Sequence, residues 1–361
     1  MKRLRFKILI ALAALAVVAA ACGDDDAAPT AAPTAAPIAA PAATDPPVTQ
    51  PPVVDLVMQL TWVPQSQFAG YIMADAKGFY DEENLNVTVL AGGPDVSPDQ
   101  QILTGAADLT LGKGASIFVV RSRGVPLVAV AQFHRKSGFP IVAMADSGIR
   151  TPADLAGKTV AAFQGGGDEV EILALAAKFG LVPGEDFELV EQGWTLDPFL
   201  NGDFDTITPT YWNELQSLYE DGLTPEDLVI IDFDDYGVGS PHGVLHTTED
   251  ILAEKGEAIA RFVRATIRGW KYAFDNPEET VQVILQDAVQ ASELHQTNML
   301  TALADLHFPA AFNQDDYGSV DAVTFARLAE DLLAFGILDD AVAATDAYDP
   351  SIWEAATGIS S

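Results

Sequence analysis

The chain has 361 residues, with 19 lysines and arginines against 52 aspartates and glutamates, a formal charge of -33 and one cysteine. So acidic a surface repels DNA, RNA and anionic lipid head groups, and one cysteine excludes a disulfide framework or a cysteine-rich metal site. At 49% hydrophobic residues the chain has ample core material, and its length predicts two domains.

Residues 1–21 begin with Lys2, Arg3, Arg5 and Lys7 and continue as an uncharged apolar run from Ile8 to Ala21. That is a secretory signal pattern, too short to span a bilayer comfortably as a permanent helix. The run closes on Ala19-Ala20-Ala21-Cys22-Gly23, which resembles a bacterial lipoprotein signal and makes Cys22 the expected lipid attachment point. Ala19 replaces the usual leucine, and ordinary cleavage leaving a free thiol is the alternative. Loss of the signal with its four basic residues leaves 15 basic and 52 acidic residues, net -37. Residues 22–54 carry Asp24-Asp25-Asp26 and then Ala-Ala-Pro-Thr repeats, with eight prolines and no aromatic residue. This composition predicts a disordered tether, extended by its prolines to on the order of 100 Å at about 3.1 Å per residue. An outward-facing soluble domain held to a membrane follows as the expectation.

From Asp55 the pattern alternates. Asp55–Leu60 reads as a strand, Ser66–Lys77 as a helix stopped by Gly78, and Asn86–Leu90 as a strand. Ser97-Pro98 supplies an N-cap and a first-turn proline for a helix ending at Gly105, and Asp108–Leu111, Ala115–Arg123 and Pro126–Phe133 continue as strand, helix, strand. The order predicts a mostly parallel, helix-covered sheet over 55–143. A second α/β unit is predicted over 144–236, although the pattern already restarts at Ile141. It contains a capping-box-like Thr151-Pro152-Ala153-Asp154, a strand at Thr159–Phe163, a helix at Asp168–Phe179, and strands near Phe187–Gln192, Asp205–Thr210 and Leu228–Asp232. Residues 237–361 read as almost wholly helical, with Ile259, Phe262, Val263, Ile267, Trp270 and Phe274 in one apolar stripe ending at Asn276-Pro277. Return of this segment to the first unit leaves two α/β lobes, two crossings and a ligand cleft suited to hinge closure.

Trp62-Val-Pro-Gln-Ser-Gln-Phe-Ala-Gly-Tyr71, Lys77-Gly-Phe-Tyr-Asp-Glu-Glu-Asn-Leu-Asn-Val87 and Gly105-Ala-Ala-Asp108 stand in order along the chain. With Thr151–Val160, Gly165–Glu171 and Trp212-Asn213-Glu214, they cover nearly all of the folded region, and it resembles ABC-importer solute-binding proteins related to thiamine-pyrimidine synthases. The resemblance implies a periplasmic-binding-protein fold of type II-like organisation, handing a planar nitrogen heterocycle to a membrane permease with its ATPase. Members of the family handle thiamine-precursor pyrimidines, and a flavin-binding branch is similar.

Trp62, Phe68 and Tyr71 stand after the first strand, where open α/β sheets place ligands, and can sandwich a ring. The alternative for Phe68 and Tyr71 is core or interlobe packing. Gln164-Gly-Gly-Gly before Asp168 and Glu169 exposes backbone N–H groups at a helix start, but Asp168, Glu169 and Glu171 fill that place with negative charge. Complementing the helix dipole accounts for at least one of these acids; otherwise they suit a neutral, donor-rich ligand. Lys113, between two glycines, is placed either to face the cleft or to cap a loop. Trp194, Tyr211, Trp212, Asn213 and Glu214 add stacking and hydrogen-bonding groups, or else a buried helix end. Gln65, Gln67 and Phe68 stand where thiamine-pyrimidine binders show asparagine and histidine, a departure that favours a wider ring. Riboflavin or a related flavin is therefore the first expected ligand and an aminopyrimidine the second.

An enzyme is not expected. The lone thiol lies outside the fold, and among His134, His242, His246, His295 and His307 only His242 and His246 have i,i+4 spacing, beside Pro241 and Gly243 in a presumed loop. No nucleophile elbow, phosphate loop, metal or cofactor motif is legible. A third class, a tethered surface protein with an empty packed cleft, stays open.

Overall fold

Short apolar strands separated by capped helices assemble into two sheets of five strands each. The computed structural model describes residues 51–163, 168–288, 292–310 and 312–360. The signal segment, Cys22, the tether up to residue 50 and the glycine-rich turn at 164–167 lie outside the described residues.

The first run contains β1 (Val54–Gln59), α1 (Ala69–Ala76), α2 (Phe79–Glu82), β2 (Leu85–Leu90), α3 (Pro98–Leu103), β3 (Leu109–Gly112), α4 (Gly114–Ser122) and β4 (Leu127–Gln132). The second contains β5 (Ile141–Met144), β6 (Thr159–Ala162), α5 (Asp168–Phe179), β7 (Glu188–Glu191), α6 (Asp197–Leu200), β8 (Thr206–Ile207), α7 (Glu214–Glu220) and β9 (Leu228–Ile231). The chain then returns through β10 (Val244–Thr248) to α8 (Glu249–Asp275), α9 (Pro277–Ile284), α10 (Glu293–His307), α11 (Ala322–Ala334) and α12 (Pro350–Thr357).

The first sheet has the order β2-β1-β3-β10-β4 and the second β7-β6-β8-β5-β9. In each, four strands run in one direction and the fifth runs against them. β10 runs antiparallel between β3 and β4, and β5 runs antiparallel to both β8 and β9. The expectation of an almost wholly helical segment after 236 is corrected by β10, and the lobe boundary at 143/144 by β5, which starts at Ile141 and pairs with Ile231. Its apolar residues were visible, but nothing local says which sheet a four-residue strand will join.

Alternation along the strands feeds separate cores. Val57 packs toward Phe118, Phe325 and Leu328, while its neighbour Met58 joins Phe262, Val263 and Trp270. In the second sheet Val142 and Ala161 face one core, and Ile141, Ala143, Val160 and Ala162 the other. The predicted apolar stripe lies on α8, which starts with the Thr248 hydroxyl accepting the Ile251 N–H and ends before Pro277. α8 crosses α1 at backbone distance because both helices carry glycine there: a Cβ on Gly269 would stand 2.1 Å from the Gly70 carbonyl oxygen, and one on Gly70 would stand 2.2 Å from the Trp270 ring.

Two crossings join the lobes, residues 133–140 after β4 and residues 232–243 before β10. They bond to each other: Phe133 N–H donates to the Gly243 carbonyl (3.2 Å), Ser137 N–H to Asp234 Oδ2 (2.9 Å) and Gly138 N–H to His242 Nδ1 (2.9 Å). α10 and α11 also touch both lobes. His295 on α10 meets Glu220 and Asn213, and Arg327 on α11 donates to the Gly237 and Gly239 carbonyls.

Gly269→Ala drives a methyl into backbone and costs about 1–3 kcal/mol, the usual range for overpacking. Urea unfolding of this variant beside the parent chain checks it; equal midpoints with equal slopes would show that the α1–α8 crossing tolerates the extra carbon.

Candidate functional site

The strand ends of the two sheets and the two crossings line a cavity that opens between the lobes and extends along α4 to Arg123 and Leu127, about 590 Å³ in all. Trp62, in the bend after β1, meets Trp194 of the second lobe at 4.8 Å between ring centroids with 30° between planes. Phe163, just after β6, meets the other side of the arrangement at 5.1 Å and 31° from Trp194. Trp194 is 65% exposed, so this stack sits at the mouth. Deeper in, Gln67 Oε1 accepts the Trp212 indole N–H at 3.1 Å, a direct bond between lobes. Trp212 is buried among His134, Phe139 and His242, and Gly138 makes the approach possible, since a Cβ there would stand 2.5 Å from the Trp212 ring.

Lys113 stands before the first residue of α4, buried, with its ammonium 4.3 Å from the centre of the Phe139 ring. Glu169 and Glu171 approach it from α5 in the opposite lobe. Burial pushes the Lys113 pKa down, and the two carboxylates only partly offset this. Burial likewise pushes Glu171 up, against the pull of Lys113 and of the Ser240 N–H, which donates to Glu171 Oε1 at 2.6 Å. Ser240 Oγ in turn accepts the Ala115 N–H at 2.9 Å, so the second crossing is pinned between α4 and α5. His134 is pushed down to about 3 by burial, and His242 well below the ordinary imidazole value by burial and then by the Lys113 charge. Both rings are neutral walls at physiological pH.

The structure brings together Trp62, Gln67, Phe68, Lys113, Glu169, Trp194, Trp212, Asn213 and Glu214 around one cavity. Two predicted residues fall elsewhere. Tyr71 is 1% exposed and packs on Phe133, Phe262 and Trp270, because its place on α1 turns it toward α8. Tyr211 donates to Asp232 Oδ2 at 2.9 Å and lines a separate space of about 390 Å³ between α7 and α10. Asp168 opens α5, and its side chain lies outside the described residues. Asn213 and Glu214 are engaged with protein: Glu214 Oε2 accepts from Thr210 N (2.9 Å), Asn213 Nδ2 donates to Glu214 Oε1 (2.9 Å), and Asn213 Oδ1 faces His295 Nε2 (2.8 Å).

Sequence reasoning missed Phe139, Phe163, Glu191, His134 and His242 as lining residues. Phe163 and Glu191 end strands that were legible, so the rule placing ligands at strand ends could have found them. His134, Phe139 and His242 sit in the crossings, whose convergence no local pattern records. The i,i+4 pair His242 and His246 does not converge on a common partner: His246 lies on β10 with Nε2 2.9 Å from Asp99 Oδ1, while His242 bonds Gly138. Among the described residues no three His, Cys, Asp or Glu side chains gather as a metal site.

Two lobes, two crossings and a cavity between them define the periplasmic-binding-protein fold. Accordingly, the structure is similar to the alkanesulfonate-binding protein SsuA from Xanthomonas axonopodis pv. citri, with a TM-score of 0.62 and 15% identity over 83% of this chain and 99% of that one. SsuA from Escherichia coli gives 0.59 and 17% identity over 82% and 92%. The chain belongs to the family described as NMT1/THI5 like, which matches residues 65–280. It is 27% identical to the formylaminopyrimidine-binding protein of Halalkalibacterium halodurans over 81% of this chain and 88% of that one. It is 26% identical to the riboflavin-binding protein RibY of Chloroflexus aurantiacus over 85% and 88%. The 4-amino-5-hydroxymethyl-2-methylpyrimidine phosphate synthase of Legionella pneumophila is 23% identical over 64% and 73%.

Lys113→Met leaves Glu171 buried without its cation, and breaking such a pair costs about 3–5 kcal/mol. The carboxyl pKa in the folded variant rises further above its ordinary 4.5. A raised acid contributes stability that is complete below the unfolded value and lost as pH rises through the folded one. Thermal melts should therefore show a deficit for Lys113→Met at pH 8 that shrinks at pH 5; a deficit independent of pH would contradict the pairing.

Proposed function

We propose that this protein is the extracytoplasmic solute-binding component of an ABC importer, held to a membrane through Cys22, and that it carries riboflavin or a related flavin to a permease and its ATPase. The observation that carries the reading is the aromatic mouth of the interlobe cavity, where Trp62 of the first lobe meets Trp194 of the second and Phe163 lies beside Trp194. Such faces accept a flat ring system without demanding charge. The volume of about 590 Å³ supports a ligand of several rings. A single-ring aminopyrimidine would leave much of that space to water.

Charge supports an unphosphorylated ligand. The acids Asp99, Glu169, Glu191 and Glu214 line the cavity against Lys113 and Arg123, and Lys113 already faces Glu169 and Glu171. A phosphate would enter a field in which four lining acids outnumber two lining bases. The second reading, a thiamine-precursor aminopyrimidine, is favoured by the relative named as a formylaminopyrimidine-binding protein. Binding without catalysis is supported by the names of the two relatives matched over more than four-fifths of this chain. No helix among the described residues is long and apolar enough to cross a membrane, in keeping with attachment through the N-terminal cysteine.

Titrating riboflavin into the purified protein should quench flavin fluorescence with a micromolar or tighter constant. Trp62→Ala should weaken binding about tenfold, corresponding to ~1.4 kcal/mol. A rise in thermal stability with an aminopyrimidine but not with riboflavin would move the reading to the second ligand, and no response to either would overturn it. Separately, Cys22→Ala should shift the protein from the membrane fraction to the soluble fraction of the producing cells; unchanged membrane association would overturn the lipid anchor.

A further inference from the structure

Among the cavity-lining side chains, Gln65, Ser116, His134 and His242 each carry a buried nitrogen or oxygen without a hydrogen-bond partner in the protein. His242 is 6% exposed, lines the cavity, and sits in the second crossing between Pro241 and Gly243. Its Nδ1 accepts the Gly138 N–H at 2.9 Å. A ring nitrogen that accepts a backbone N–H carries no proton, so the neutral imidazole keeps its hydrogen on Nε2. That Nε2 is buried and has no hydrogen-bond partner in the protein.

The surroundings hold the ring in this state. Phe139 lies 4.6 Å from it between ring centroids and Trp212 6.2 Å, while Gly138 leaves only enough room for the ring to approach, since a Cβ there would stand 3.1 Å from His242 Cγ. Burial, the Lys113 charge and the neighbouring His134 all oppose protonation, and the Ser240 backbone pulls weakly the other way. The crossing therefore holds a neutral N–H donor, buried and without a protein partner, on a ring that lines the cavity. Gln65 supplies a second case on the first-lobe wall: it is 8% exposed, lines the cavity, and its Nε2 is also buried without a partner. Leaving buried donors unsatisfied is costly, and native proteins do so chiefly where a ligand completes the bond.

We infer that His242 Nε2–H, seconded by Gln65, reads a hydrogen-bond acceptor on the bound heterocycle, and that the acceptor is a carbonyl oxygen of a lactam or imide edge. This deepens the binding reading and rests on it. A carbonyl oxygen has two lone pairs with which to answer both donors, whereas a ring nitrogen of an aminopyrimidine has one and can answer only one of them. The assignment therefore names His242 as a specificity-determining residue and separates pyrimidinedione-type ligands, of which the flavin ring is one, from simple aminopyrimidines.

The test uses riboflavin as the probe and the whole chain as the protein. His242→Phe removes the donor and should bind about tenfold or more weakly, because the ligand carbonyl is then buried without a partner. His242→Gln, which can both accept from Gly138 and donate, should remain within about threefold of the parent. In the parent, nitrogen-15 NMR of the histidine rings should show His242 protonated on Nε2, with that resonance moving when riboflavin is added. Full-strength binding by His242→Phe, or an Nε2 resonance that riboflavin leaves in place, would overturn the inference while the flavin reading stands. Should His242→Phe fail to fold, the parent's NMR decides alone. If the parent binds no riboflavin, the flavin reading falls and the carbonyl-directed role falls with it.

Discussion

A lysine from one lobe and a glutamate from the other meet out of water where the chain crosses between them, and much of the cleft depends on that meeting. Desolvating both groups costs more than most single contacts return, so the pair has to be supported by hydrogen bonds from its surroundings. Ser240 does part of this, giving its N–H to Glu171 and accepting the Ala115 N–H with its hydroxyl. One short segment thus ties the start of α4 to the first turn of α5. Rotation of the lobes about the crossings would move Lys113 relative to Glu169 and Glu171, so the electrostatics of closure are concentrated where a hinge has most leverage.

The same junction shapes the ligand surface. Facing Lys113 with Glu169 and Glu171 from the protein side offsets a buried cation that could have attracted a phosphate. Its residual charge depresses the basicity of His242, which is thereby kept neutral. Phe139 connects the two, receiving the ammonium on its face and the imidazole beside it. Beside this ion pair the crossings line the cleft with Phe139 and the neutral rings of His134 and His242, although the protein as a whole is strongly acidic.

Legibility in the sequence followed the range of the interactions. β1 to β4 were readable because each is a short apolar run between helix caps, and α8 because six apolar residues repeat at helical spacing over its buried face. β10 was not readable. Three of its five residues are His246, Thr247 and Thr248, buried only because Asp99 and the Asp108 carbonyl answer them from distant parts of the chain. Trp62 and Lys113 were found by the rule that ligands sit beyond strand ends, whereas Tyr71 was misplaced because an aromatic residue early in a helix reads the same whether it faces the cleft or α8. Tyr211 was drawn in by its neighbour Trp212, yet adjacent residues entering a helix point to different sides. His242 stood in view as one of five histidines, but its role depends on Gly138, more than a hundred residues earlier.

That dependence sets the unpaired donor of the crossing apart from the one that Gln65 carries on the first-lobe wall. A donor on a lobe wall can be answered by the opposite wall as the cleft closes, as Trp212 is by Gln67. A donor on the axis moves little relative to either wall, so closure alone supplies it with no partner. It can be completed only by something that reaches the floor of the cleft before the lobes meet. If His242 reads the ligand as proposed, an N–H placed there would favour full closure when an acceptor is present and oppose it when none is, coupling recognition of the ligand to commitment of the lobes through a single ring.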